Sequence, residues 1–576
     1  MPFLALDYKV KKIRNIMKDK IVEVLRNIGY EVSEKEIEEP QKKEFGDYSF
    51  PCFELAKRMN VNPIELAKEI TRKIPVDRYP FLLKVEAVNG YINFFIYWEK
   101  VAAQILKEIL AMKKINLGNK KRVMIEFSQP NPVHSMHIGH ARGTFIGDAL
   151  SRVFKFSNFN VIRANLMNDT GLQVAKLVTA YILWYNGERP TKKPDHWLWE
   201  IYVRFHEEAK KDPSLEEKAR EILRKYEIEK DKEIIKIWRR LVKWCVDGFK
   251  QTYRKLGVKF DVWLYEHKFR ELGKNLVYLA LAKNIAFKTD DGAVVAKLEE
   301  HGLPNCIMLR SNGTGLYLTS DLGITVYKFD KFKLDKSIWV VSSQQSLYFK
   351  QLFKLLELLG YEWAKDCYHC AFEHVSLPEG KMSSREGKAI LLDEVISVLE
   401  KKAREEVEKR NPNKNKREIA AVVRKIAVGA LKYSILKIQP EDQIIFEWEK
   451  ILKLEGNTGP YVQYACVRCR GILKKAKRWK RVFSCTALKE EESMLIKKLS
   501  DFPFLIEKVV KEMKPYYLAN YLYELSTVFN NFYEKIPVLK EENKEIKNFR
   551  LTLIEATEKV LETGLNLLGI EVPKFM

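Results

Sequence analysis

The sequence predicts an α/β core on a parallel sheet, carrying a helical insertion, with a small α/β module before it and an all-helical domain after it. Three observations predict this. Short apolar runs bounded by Pro, Gly and Asn alternate with longer stretches whose apolar residues recur every three or four positions. An insertion of about 190–290, densely charged and helical in period from Pro190 to about Asp247, interrupts that alternation. Beyond residue 395 the strand-like runs stop and helical period takes over.

In chain order, residues 1–112 are helical in pattern at both ends, with an extended middle around Phe81–Phe95 where polar and apolar residues partly alternate. A basic linker, Lys113–Lys121, leads to the short apolar strand Arg122–Phe127. A Pro/Asn-rich loop follows and a helix begins near His137, with Ile138, Ala141, Phe145, Ala149, Val153 and Phe154 on one face. Val161-Ile162 then opens a second strand, which makes the sheet parallel. The insertion carries tryptophans at 197, 199, 238 and 244, and its charges read as a solvated face. Apolar runs at 293–295, 316–318, 339–341 and 390–392 are expected to resume and finish the sheet, so the central domain spans 122–395. Lys401–Lys416 contains Asn-Pro-Asn and marks the boundary before the helical domain, 401–576.

The 576 residues suffice for three or four cores at roughly 100–200 residues each. With 46% hydrophobic and 31% charged residues, and no apolar run near the ~18 that a membrane helix needs, the composition is that of a soluble chain with no membrane contact. The opening Met1–Asp7 is too short for a signal segment, so a cytoplasmic protein is expected. A net charge of +24 suits a polyanionic partner, and equally a solvated Lys/Glu-rich surface; charge does not choose between them. Eight cysteines suggest no disulfide scaffold. Cys367/Cys370 and Cys466/Cys469 have C-x-x-C spacing, but they lie about 100 residues apart and the second pair falls in a helical stretch, so no metal site is expected.

The chemistry is carried by two segments. His137-Ile138-Gly139-His140 sits at a strand-to-helix junction, where free backbone amides and the positive end of the helix dipole suit nucleotide phosphates. Gly139 allows close approach, and the two imidazoles can donate to phosphate oxygens as negative charge builds. The second segment, Lys381-Met382-Ser383-Ser384-Arg385 continuing to Lys388, is a basic loop suited to a leaving pyrophosphate. Four letters alone are weak; the pair, in this order and setting, resembles the signatures of class I aminoacyl-tRNA synthetases.

The flanks narrow the resemblance to arginyl-tRNA synthetases. Ile125-Glu126-Phe127-Ser128-Gln129-Pro130-Asn131, Asn168–Gln173, Arg310–Asp321, Ser343-Gln344-Gln345 and His374-Val375-Ser376 carry it through the first two thirds. Gly429–Tyr433, Phe446-Glu447-Trp448, Glu455–Tyr464 and Gly564–Ile570 carry it to the end, leaving out only the insertion. The resemblance implies a Rossmann-type catalytic domain, an N-terminal domain contacting the tRNA elbow and a helical anticodon-binding domain. It implies ATP, with magnesium, and L-arginine as substrates, tRNA(Arg) as partner, a monomer, and no tightly bound cofactor. Arginine's carboxylate would attack the α-phosphate, the terminal adenosine of tRNA would then take the arginyl group, and activation would require bound tRNA.

The same resemblance places Glu126 and Asp321 as carboxylates for the guanidinium, Tyr317 beside them, and Asn131 and Gln345 at the amino-acid head group, which agrees with what five fixed N–H donors demand. The plain alternatives are a strand-end carboxylate at 126 and a packing aromatic at 317. Asp169 is expected either to touch substrate or to orient its loop. Tyr461, Tyr464, Arg468, Arg470, Trp479 and Tyr533 are candidates for stacking on splayed RNA bases. Two positions depart from the family pattern: His134 stands where many members carry lysine, and Ser384 stands at the usual second lysine, leaving Arg385 or Lys388 to supply the charge. Other class I synthetases, a non-catalytic tRNA-binding paralogue and a small-molecule adenylyltransferase are the rival readings. No editing site is expected, because few other amino acids satisfy two carboxylates.

Overall fold

The computed structural model describes residues 16–40, 42–376, 390–445, 451, 453 and 455–576. The second motif, Lys381–Lys388, and Phe446-Glu447-Trp448 lie outside the described residues. The first module holds α1 (Ile16–Asn27), β1 (Tyr48–Pro51), α2 (Phe53–Met59), α3 (Pro63–Lys73), β2 (Leu82–Val88), β3 (Tyr91–Ile96) and α4 (Trp98–Ala111). β2 and β3 are joined by Asn89-Gly90, both at positive φ, the dipeptide a two-residue hairpin favours. β1 completes an antiparallel sheet of order β1-β3-β2.

The central domain begins with β4 (Arg122–Phe127), α5 (Ile138–Phe156), β5 (Asn160–Met167) and α6 (Leu172–Trp184). The insertion follows as α7 (Pro194–Lys211), α8 (Ser214–Arg224) and α9 (Lys232–Leu256), with Trp197 and Trp238 buried among them. The chain returns through β6 (Val262–Tyr265) and α10 (Arg270–Ala282), adds an antiparallel sheet of β7 (Ala286–Lys288), β8 (Val294–Ala296) and β9 (Cys306–Leu309), and continues through α11 (Tyr317–Phe332), β10 (Lys336–Ser342), α12 (Ser346–Leu358), β11 (Cys367–Phe372) and β12 (Val375–Ser376). Five strands form one parallel sheet of order β11-β10-β4-β5-β6. The order reverses at β4, which has β5 on one side and β10 on the other, so the crevice at the carboxyl ends of β4 and β10 is where a doubly wound sheet binds ligands.

Four expectations need correction. The insertion is helical only to Leu256, because Val262–Tyr265 is the edge strand of the central sheet. The run at 293–295 belongs to the separate antiparallel sheet. Leu316–Leu318 is no strand: Thr319 Oγ1 accepts from the Leu316 amide at 2.9 Å, and Leu318, Leu322 and Val326 form the buried stripe of a helix. Ile390 and Leu391 make only an isolated bridge before α13 (Leu392–Arg410), so among these four runs Trp339–Val341 alone joins the central sheet.

The helical domain continues from α13 with α14 (Lys416–Leu436), the short β13 (Ile444–Ile445) paired to β12, then α15 (Gly459–Lys475), α16 (Glu490–Ser500), α17 (Phe502–Glu512), α18 (Tyr516–Lys535) and α19 (Lys544–Leu567). The break between α13 and α14 falls at Asn411–Asn415, and α13 runs through the expected boundary at 401. Among the described residues, one continuous apolar core, from Met17 to Val572, runs through all three parts. Within it Asp148 of α5 pairs with Lys432 of α14 at 3.4 Å, with the two side chains 1% and 0% exposed, and Lys432 also donates to the Gly569 carbonyl at 2.8 Å. A Cβ at Gly569 would stand 2.6 Å from Asp148 Oδ2, so only glycine lets the chain close over the pair.

Candidate active site

α5 packs closely on the sheet because two of its residues have no side chain. A Cβ at Gly147 would lie 2.1 Å from the Phe127 ring, and one at Gly143 would lie 2.9 Å from Phe372. This seats the helix N-terminus over the crevice. His137 is the N-cap: its Nδ1 accepts from the Gly139 amide at 3.1 Å, while the His137 amide donates to His140 Nδ1 at 3.2 Å. The rings lie 3.9 Å apart. With both Nδ1 atoms accepting, each neutral ring carries its proton on Nε2 and keeps that N–H as a donor. Burial pushes His137 down to about 4, and His140 well below its ordinary value, with His137 and His134 adding repulsion. The pair therefore offers hydrogen bonds and no positive charge at neutral pH, leaving the attraction for phosphate to the amides and the helix dipole.

The loop from β4 to α5 is unusual in backbone. Ser128 and Gln129 have φ of 78° and 46°, where residues with a Cβ are rarely found. They are held by a polar network: Ser128 Oγ is 2.7 Å from Thr144 Oγ1 and 2.6 Å from the Tyr253 hydroxyl, and the Gln129 amide donates to Asn165 Oδ1 at 3.2 Å. Asn131 lies next in this loop, its Oδ1 buried and without a hydrogen-bond partner among the described residues. Gln345 is exposed in the turn that ends β10, on the neighbouring strand.

The acidic side is built differently. Asp321 lies on the first turns of α11 and accepts from the Tyr348 hydroxyl. Burial pushes its carboxyl up to about 7; the Tyr348 hydrogen bond pulls back, while Glu126 and Glu266 push further in the same direction. Glu266, 3% exposed at the end of β6, accepts from Ser320 Oγ at 3.1 Å, and burial raises its carboxyl too. Tyr317, 56% exposed, stands at the mouth.

Glu126 departs from expectation. It is 1% exposed, ion-paired to the fully buried Lys328, and accepts from Gln129 Nε2 at 2.6 Å. It is neither the strand-end surface carboxylate nor a free one: α11 brings its own ammonium to it, with Lys328 Nζ resting 4.5 Å from the Trp339 ring centroid. Asp169 orients its loop, accepting from the His267 amide at 3.1 Å and the His267 ring at 2.5 Å. Glu266, Lys328 and Tyr348 were not singled out from the sequence, and nothing in their local pattern marks them.

On the helical domain, Arg468 lies 4.8 Å over the Tyr464 ring and 4.9 Å over Tyr533, and donates to Asn530 Oδ1 at 2.7 Å; Asn530 in turn donates to the Tyr461 hydroxyl at 2.9 Å. Four of the expected RNA-reading residues thus share one face. Arg470 does not join them, being tied to Glu558 and Glu562 on another face, and Trp479 packs against the core. Cys370 and Cys466 each donate to a backbone carbonyl, of Met513 and Glu558, and among the described residues no three His, Cys, Asp or Glu side chains are placed to hold a metal.

Comparison with known proteins agrees with this geometry along the whole chain. Residues 101–448 match the family described as tRNA synthetases class I (R), catalytic domain; residues 462–576 match the DALR anticodon binding domain and residues 11–96 the arginyl tRNA synthetase N terminal domain. The arginine–tRNA ligase of Clostridium beijerinckii is 37% identical over 99% of this chain and 100% of its own length, and that of Treponema denticola is 33% identical over 96% and 98%. The solved arginyl-tRNA synthetase of Thermus thermophilus superposes with a TM-score of 0.83 at 28% identity, covering 98% of this chain and 100% of that one. The chain therefore belongs to the arginyl-tRNA synthetases, a family of class I.

Proposed function

We propose that this synthetase activates L-arginine with ATP and transfers it to the terminal adenosine of tRNA(Arg), using the crevice between β4 and β10. The single observation that carries the reading is the opposition of two chemistries there: a helix N-terminus with two neutral imidazoles on one side, and buried carboxylates on the other. The α-phosphate lies against the amides and Nε2–H groups of His137-Ile138-Gly139-His140, which stabilise charge as arginine's carboxylate attacks in line. Asp321, supported by Tyr348 and Glu266, takes the guanidinium, and Tyr317 closes over it. The buried Glu126–Lys328 pair sets the charge of the floor, while Asn131 Oδ1 and Gln345 meet the head group. Lys381, Met382, Ser383, Ser384 and Arg385 are assigned to pyrophosphate by their motif alone, and magnesium arrives as the counter-ion of ATP.

Residues 1–112, 122–395 and 401–576 are read as elbow-contacting, catalytic and anticodon-binding parts, with Tyr461, Tyr464 and Arg468 stacking on RNA. A single chain suffices, since one core runs through all three parts. The free cysteines and the absence of a helix long and apolar enough to cross a membrane, among the described residues, support a cytoplasmic setting.

The test is ATP–pyrophosphate exchange with each amino acid, with and without tRNA, for the wild type and Asp321→Ala. Exchange with arginine alone, dependent on tRNA and lost in the variant, is expected. Exchange with another amino acid sinks the pocket assignment, and exchange with none favours a non-catalytic tRNA binder.

A further inference from the structure

The insertion's charges were expected to face solvent, yet four of its side chains are drawn inward to one carboxylate outside it. Asp393, 9% exposed on the first turn of α13, receives Lys193 Nζ at 2.9 Å and His196 Nε2 at 3.2 Å on Oδ2, with Thr252 Oγ1 at 2.9 Å, and Lys255 Nζ at 2.7 Å on Oδ1. Lys193 also reaches Asp195 at 2.8 Å and Thr252 at 2.8 Å. Asp195 is fully buried, and a Cβ at Gly248 would come within 2.1 Å of its Oδ1, so α7 and α9 are locked together at this point. Two lysines balance two aspartates. Burial opposes ionisation of Asp393, but His196 and the two lysines outweigh it and hold its carboxyl far below the ordinary carboxylate range.

What this node touches gives it a role. The Leu392 amide donates to the Met136 carbonyl at 2.9 Å and the Ile138 amide to the Ile390 carbonyl at 3.1 Å, so the stretch before Asp393 is laced as a bridge to the stretch that contains His137. From the other side Ser135 Oγ donates to the Asp195 carbonyl at 3.2 Å. The node therefore grips the His137 segment at both of its neighbours: through Ser135, two residues before it, and through Leu391, opposite it. A buried ion network adds little net stability compared with an apolar replacement, but it fixes relative positions sharply.

We propose that the helical insertion is a positioning element for adenylate formation, and that Asp393 and Lys193 are positioning residues that set His137 against the nucleotide phosphate. This rests on the assignment of His137 given above. The insertion then serves the site without touching substrate, and its charges at 193, 195 and 255 belong to the reaction's geometry rather than to the surface.

The experiment is ATP–pyrophosphate exchange with arginine by the full chain in the presence of tRNA, with rates expressed per active site titrated by adenylate burst, for the wild type, Asp393→Asn, His137→Ala and the double variant. Displacing a reacting group by about 1 Å costs up to about a hundredfold in rate, so Asp393→Asn is expected to lower kcat by about tenfold to a hundredfold with KM for arginine changed less than about threefold. In the His137→Ala background the same substitution should cost less than about threefold, because its effect passes through the missing imidazole. An unchanged kcat per titrated site, or a loss fully additive with His137→Ala, overturns the proposal and leaves a purely structural node. If Asp393→Asn does not fold, Lys255→Met, on the 49% exposed side chain, carries the same cycle with a smaller loss. Absence of exchange in the wild type overturns the functional reading as well, which sets that failure apart from failure of the variants alone.

Discussion

The two walls of the crevice hold their polar groups by different means. On the phosphate wall, His137 and His140 are stripped of their charge, and Nδ1 of each is occupied by a backbone amide, so what remains is a pair of N–H donors that do not titrate near neutrality. The arginine wall holds carboxyl groups that burial pushes towards protonation. Glu126 is ion-paired to the buried Lys328, while Asp321, which accepts from the Tyr348 hydroxyl, is lifted to about 7. On the proposed assignment the difference follows the ligands: a nucleotide brings its own charge and counter-ion and needs placement, whereas a guanidinium brings a charge that the site has to match.

Removing the matching charge should break the arginine wall first. Lys328→Met strands Glu126 in a site with 1% exposure and is expected to cost about 3–5 kcal/mol of stability, read from denaturant midpoints. On the phosphate wall, His137→Ala removes a donor and a cap without stranding a charge. It should leave folding within about 2 kcal/mol and lower the exchange kcat about a hundredfold, measured at saturating substrates.

The pH dependence should separate the walls without mutation. If Asp321 holds the guanidinium as proposed, it has to be ionised, so KM for arginine is expected to fall about tenfold per unit as pH rises towards 7 and to level off above 8, while KM for ATP stays flat from 6 to 8. The stability contribution runs the other way. With its folded value raised from 3.8 to about 7, Asp321 keeps a proton that the unfolded chain has lost, so folding weakens as pH climbs from 4 to 7. A flat arginine profile would remove Asp321 from the pocket. The smallest effect belongs to the distant RNA face: Arg468→Ala, losing its stack on Tyr464 and Tyr533, should raise KM for tRNA by about fivefold, an effect of about 1 kcal/mol.

The phosphate wall was far more legible in the sequence than the arginine wall, for a physical reason. The β4 strand, its Pro/Asn loop and the start of α5 are contiguous, so Arg122–Phe127 and His137–His140 were bounded as the structure has them. The arginine wall is assembled from β4, the end of β6, α11 and α12, and no local pattern shows that Lys328 will meet Glu126 or Tyr348 will meet Asp321. β6 itself was hidden because four residues, Val262–Tyr265, make too short a run to stand out beside a charged insertion. Leu316–Leu318 misled because an apolar triplet is compatible with a strand or with the first turn of a helix, and the capping Thr319 decides for the helix.

The clasp at Gly569 orders events during synthesis. α5 leaves the ribosome early, with His137 at its tip and Asp148 in its middle, but the carbonyl that steadies Lys432 beside that aspartate is made more than four hundred residues later. A nascent chain, or one cut anywhere between Leu436 and Gly569, holds the catalytic helix without its far clasp. The helix that carries the first motif is thus among the early parts of the central domain to be translated and among the last to be secured.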